Sequence, residues 1–197
     1  MYSVYPTWPL VRRILRAYRK EGSMRQLPPP PPGSFAPYHA QYLDLVPPQR
    51  YGTILESQPQ ELVDLLSPLS EAAGNFRYAE GKWSIREVVG HITDTERVHA
   101  YRLLSFARGE TRSLPGFDQD AFVTEGHFQD RSMRGLVEEF RIVRQATLAL
   151  IQGLPEQALE RVGKANEMPV GVLALAYLIP GHAAHHMKVL RERYLQT

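Results

Sequence analysis

Ser84-Ile85-Arg86-Glu87-Val88-Val89-Gly90-His91-Ile92 carries the clearest helix start in the chain. Ser84 and Glu87 have the spacing of a capping box, in which the serine hydroxyl accepts from a free backbone N–H and the glutamate reaches back. Ile85, Val88, Val89, Ile92, Val98, Tyr101 and Leu104 then recur three and four apart, until Gly109 offers a stop. One face of this helix is apolar and must be covered by something of similar length.

Three further stretches supply the cover. Leu62, Leu65, Leu66 and Leu69 predict a helix over about residues 59–74, with an earlier turn near Ile54 and with Pro68 bending or shortening it. Ser132 is a cap for a helix carrying Leu136, Phe140, Val143, Leu148 and Leu150, which Gly153 and Pro155 end. Pro169, at a favoured first position, predicts a last helix running to near Tyr194, with Val172, Leu175, Leu178, Ile179, Val189 and Leu190 inside. Strand alternation is nowhere sustained. Four amphipathic helices bury their stripes most simply against one another. The expected fold is all-α, a four-helix bundle.

Composition narrows the function classes. Cysteine is absent, which excludes a disulfide framework, a thiolate metal site and a catalytic cysteine, and fits a reducing cytoplasm. Residues 1–34 hold six basic side chains against Glu21, a net +5, so the formal +2 of the whole chain leaves −3 for residues 35–197. A nucleic-acid-binding domain carries a basic stripe on its folded part, so no nucleic-acid partner is expected. No run reaches the ~20 apolar residues of a membrane span; the longest, residues 170–179, reads as buried helix. Pro28 to Pro32, followed by Gly33 and Ser34, form a stiff extended spacer. The expected boundary follows it: a disordered basic tail over residues 1–34, with Met24 an alternative start, and a bundle domain over residues 35–197.

Seven histidines occur. His182 and His186 are four apart on the last helix, a separation that leaves their side chains only ~40° apart around the axis. Such a pair alone is more often ordinary surface or core. His91 adds weight, because it lies among the apolar positions of its own helix. It stands seven residues after the cap at Ser84, and His186 eight before Tyr194. Antiparallel packing would bring the two to one level. Three neutral imidazoles then suit one divalent metal, zinc or nickel first and iron or manganese next, with further positions open to water or substrate.

Other residues have weaker claims. Asp94, three after His91, reads as a ligand, an orienter of a ligand or an ion-pair partner. His185 either supports the site or faces solvent. The connection from Gly109 to Arg131 is too long for a hairpin turn and suits a crossover between parallel second and third helices. Asp118 and Asp120 within it are candidates for the pocket, or simply part of a polar loop pinned by aromatics. His39 and His99 have no evident partner.

Gly81-Lys82-Trp83-Ser84-Ile85, Gly90-His91-Ile92 with Asp94-Thr95-Glu96-Arg97, Tyr101-Arg102, residues 115–120, and Gly181-His182-Ala183-Ala184-His185-His186 together resemble the DinB-like superfamily of metal-binding bundles, over about residues 38–195. The resemblance implies an up-down-down-up bundle and a three-histidine site onto which His91, His182 and His186 map. It further implies metal-dependent chemistry on a small molecule, hydrolysis or S-transfer with a low-molecular-weight thiol as co-substrate. The competing expectation is a non-catalytic metal- or ligand-binding stress-response protein. Homodimers are compatible with either. Pro180, just before Gly181-His182, departs from the family pattern and should kink the helix there.

Overall fold

The computed structural model describes residues 24–195. Its helices are α1 (Ala40–Leu43), α2 (Tyr51–Leu66), α3 (Ile85–Ala107), α4 (Gln119–Glu125), α5 (Met133–Gln152) and α6 (Val172–Val189), the last followed by a π-turn, Leu190–Tyr194. α2, α3, α5 and α6 form the bundle. The expected caps are present: Glu87 N donates to Ser84 Oγ, Ser84 N donates to Glu87 Oε2 at 2.6 Å, and Gly135 N donates to Ser132 Oγ at 3.0 Å.

The core reveals the helix directions. One apolar cluster joins Tyr51 and Leu55 from early α2 to Leu103 and Phe106 from late α3, Ile151 from late α5, and Leu173 to Ile179 from early α6. The other joins Leu62 and Leu66 to Ile85–Ile92, Leu136, Phe140 and Met187. So α3 and α5 run parallel to each other and opposite to α2 and α6. That is the up-down-down-up order, with the long connection spanning α3 to α5.

A polar layer crosses the bundle between these clusters. The fully buried guanidinium of Arg144 on α5 meets both carboxylate oxygens of Glu96 on α3 at 2.8 Å, and donates to Gln58 Oε1 (2.7 Å) and to the carbonyl of Leu55 on α2 (3.0 Å). Gln58 Nε2 in turn donates to the Pro180 carbonyl on α6 at 2.7 Å. All four helices are linked by one chain of hydrogen bonds.

That layer accounts for the first helix, which lies earlier than expected. It spans Tyr51–Leu66 and contains Pro59, while Pro68 falls beyond its end and Gly74 lies in a separate short turn. Proline has no N–H to give the carbonyl four residues back. Here that carbonyl belongs to Leu55, and Arg144 supplies the missing donor.

The last helix begins at Val172, later than expected, because Pro169 lies in a strand. β1 (Val162–Ala165) and β2 (Met168–Gly171) pair antiparallel across a two-residue turn, Asn166 and Glu167, with φ of 52° and 58°. Positive φ at both central residues matches the twist of the flanking strands. This hairpin is an unexpected element, too short to show alternation. It anchors the crossover, since Leu114 N donates to Lys164 O and Asn166 N to Leu114 O, both at 2.9 Å.

The tail needs correction over its second part. Residues 1–23 lie outside the described residues. Residues 24–34 pack on the bundle: Met24 and Leu27 are buried in the core, the Tyr177 hydroxyl donates to the Leu27 carbonyl (2.8 Å), and Gly171 N donates to Ser34 O (2.7 Å). The segment is a strap that buries Met24 and Leu27, three residues apart as an extended three-residue-per-turn strand places them on one side, while most of the proline run after them stays exposed. Among the described residues no helix is long and apolar enough to cross a membrane.

Candidate metal centre

His91 arises from the second turn of α3, and His182 and His186 from successive turns of α6. His91 and His182 are buried and His186 is partly buried. Nε2 of His182 stands 3.1 Å from Nε2 of His91 and 3.1 Å from Nε2 of His186, and one nitrogen of each ring lies within 4.8 Å of the others. Two nitrogens each about 2.0–2.1 Å from one cation, at angles between octahedral and tetrahedral, are separated by about 2.9–3.4 Å. Both close pairs fall in that range.

Local packing aims the rings. The Trp83 ring lies 4.6 Å from that of His91 between centroids, and Tyr42 sits edge-on to His182 at 5.5 Å. Each of these two histidines follows a glycine against which another segment packs: Phe128 from the crossover on Gly90, and the Tyr42 backbone on Gly181. Pro180 stays inside a continuous α6, its carbonyl held by Gln58.

Burial keeps the imidazoles neutral, as ligands must be. Desolvation, with His185 adding a smaller effect, lowers the pKa of His91 to about 4. Desolvation first, then neighbouring histidines, puts His182 and His186 well below the usual value. Three neutral nitrogen donors converging in a buried site, with no carboxylate in the cluster among the described residues, fit a divalent transition metal.

The remaining candidates lie elsewhere. Asp94 pairs with Arg97 at 3.0 Å, and Arg97 reaches Glu139 at 2.6 Å, so its ion-pair role is the one observed. Burial raises the Asp94 pKa, with Arg97 opposing. The Asp118 side chain caps α4, accepting from Asp120 N (2.9 Å) and Ala121 N (3.1 Å), and Asp120 is exposed in the first turn. Neither joins the histidines. His185 is half-buried, edge-on to Tyr42 at 5.3 Å and 5.0 Å from His186 between ring centroids, beside the cluster.

Sequence reasoning missed Arg144, Glu96 and Gln58. The signal was available: Arg144 falls in the run Leu136, Phe140, Arg144, Thr147, Ile151, and Glu96 between Ile92 and Leu103, both at inward spacing. A charge where an apolar residue belongs points to a buried partner.

A four-helix bundle with three histidines converging from two antiparallel helices defines the class. The chain belongs to the DinB superfamily, whose profile matches residues 54–190. Among solved structures it is similar to YfiT from Bacillus subtilis, described as a probable metal-dependent hydrolase with an unusual four-helix bundle topology. That likeness has a TM-score of 0.66 at 18% identity and covers 83% of this chain and 90% of that one. At this identity it concerns the fold. No curated protein matches the chain.

Proposed function

We propose that the chain is a metal-dependent enzyme acting on a small molecule, by hydrolysis or by transfer of a low-molecular-weight thiol. The observation that carries this reading is the convergence of His91, His182 and His186 at metal-ligand separations. The description of YfiT as a "probable metal-dependent hydrolase" supports it. A divalent cation held by these three rings would supply the positive charge that lowers the pKa of a bound water or thiol toward neutrality. The protein's own contribution is to hold three uncharged donors aligned and to wall them with Trp83, Tyr42 and Phe128.

The test compares wild type with His186→Ala after loading with zinc or nickel. Elemental analysis reads the metal; carboxylic esters, amides, and thiols paired with a chlorobimane electrophile read the chemistry. Metal-dependent turnover by the wild type, lost in the variant, supports the proposal. A fully loaded centre without turnover on any of them favours a non-catalytic metal-binding protein.

A further inference from the structure

One turn of α6 before His182, a separate cavity of about 100 Å³ lies between α3, α6, the crossover, the hairpin and the short turn that precedes α1. His39, His99, Arg102, Phe117 and Asn166 line it. Its polar groups are poorly satisfied. The Nδ1 atoms of His39 and His99 are buried without a hydrogen-bond partner, and His99 is more than nine-tenths buried. Burial, with Arg102 second, lowers the pKa of His39 to about 4 and, with further help from histidines, that of His99 to about 3. Both rings are neutral at pH 7 and each has one N–H to give.

Arg102 is the charged member. It is partly buried, donates to the Pro115 carbonyl at 2.8 Å and lies over the Phe117 ring at 5.7 Å. Among the described residues it has no carboxylate within ion-pair distance, whereas Arg86, Arg97 and Arg144 all have one. A desolvated guanidinium beside two unpartnered ring nitrogens is a site built for an anion. A single cation balances a single negative charge, and the small cavity suits a planar carboxylate. The His99 ring is 6.2 Å from that of His182 between centroids, so a group seated here is a few bonds from the metal cluster. A more apolar groove of about 330 Å³, walled by Val98, Tyr101, Leu114 and Phe122, meets the cavity at Arg102 and Phe117.

We infer that this cavity seats a carboxylate of the small-molecule substrate, with Arg102 as its counter-ion and His39 and His99 as neutral hydrogen-bond donors. The substrate is then a small carboxylic acid whose reacting group extends toward His182. The inference rests on the metal-centre reading for the reaction, while the seat can be tested without metal.

The probe is benzoate, with benzamide as its uncharged counterpart, titrated by calorimetry into the full chain both zinc-loaded and chelator-stripped. Benzoate is expected to bind both forms, benzamide to bind about tenfold more weakly, and Arg102→Gln to weaken benzoate by about tenfold. Arg102→Lys should restore part of the affinity, and the thermal transition and zinc content of both variants should match wild type. Absence of saturable benzoate binding at tens of millimolar overturns the inference. So does a loss of less than about fivefold, either for benzamide or in Arg102→Gln. Benzoate binding to a chain that never takes up zinc leaves the seat standing and removes the metal-centre reading; zinc uptake without benzoate binding does the reverse.

Discussion

The backbone carbonyl oxygen of Tyr42 lies so close to Gly181 that a Cβ there would stand 2.3 Å from it. Gly181 immediately precedes His182, and the contact presses the segment around α1 directly onto the histidine-bearing turn of α6. The same device recurs on α3, where a Cβ on Gly90 would meet the Phe128 ring at 2.4 Å, one residue before His91. The glycine before each of these histidines thus has a packing reason: it admits a neighbouring segment that closes the site.

Gly181→Ala cannot be relieved by a side-chain rotation, because its obstacle is backbone. It is expected to cost about 1–3 kcal/mol and to weaken zinc binding by displacing His182. Urea unfolding and a competitive zinc titration would check both effects.

Alanine at His91, His182 or His186 should each reduce bound metal from near one equivalent to a small fraction, read by elemental analysis. Adding zinc at about a hundred times its dissociation constant should stabilise the wild type by about 2.7 kcal/mol. The variants should gain little, and a chelator should erase the wild-type gain.

Glu96→Gln and Arg144→Met each leave a buried charge without its partner. Each is expected to cost about 3–5 kcal/mol in denaturant unfolding. The double variant Glu96→Leu, Arg144→Met should recover only part of this. Gln58 Oε1 and the Leu55 carbonyl would still lack the donor that Arg144 provides.

A chain starting at residue 34 is expected to be less stable than one starting at residue 24. The difference should be about 3–5 kcal/mol, from exposing Met24 and Leu27 and freeing the Tyr177 hydroxyl. Equal urea midpoints for the two would show that the strap contributes nothing.

Acid should destabilise the metal-free protein through His99. Its pKa falls from 6.5 to about 3 on folding, chiefly by burial. The unfolded chain therefore binds the proton more readily, and stability present above pH 6.5 is lost as pH falls toward 3. His99→Gln, which cannot take up that proton, should flatten the decline in melting temperature over this window.

The sequence made the caps at Ser84 and Ser132 legible, because capping chemistry is local and three residues suffice to recognise it. The three histidines were legible because helical spacing and level could be judged from the caps. Prolines misled. Position 59 stands at the expected beginning of one helix and Pro169 at a favoured first position of another, yet Pro59 sits inside a helix because Arg144 replaces its hydrogen bond, and Pro169 sits in a strand. Those outcomes depend on partners 85 and more residues away for Pro59, and on a pairing only four residues long for Pro169. The grouping of His39 with His99 is likewise invisible, since the turn before α1 and the middle of α3 meet only in three dimensions.

The chain of contacts Pro180–Gln58–Arg144–Glu96 has a last consequence for assembly. A helix slipped by one turn, about 5.4 Å, would strand an ion in hydrocarbon, so the penalty for misalignment exceeds any benefit of the correct pairing. Glu96 lies five residues beyond His91, and Pro180 two before His182. The vertical registration of the two histidine-bearing helices is therefore imposed from outside the cluster, and the imidazoles are level without any cation.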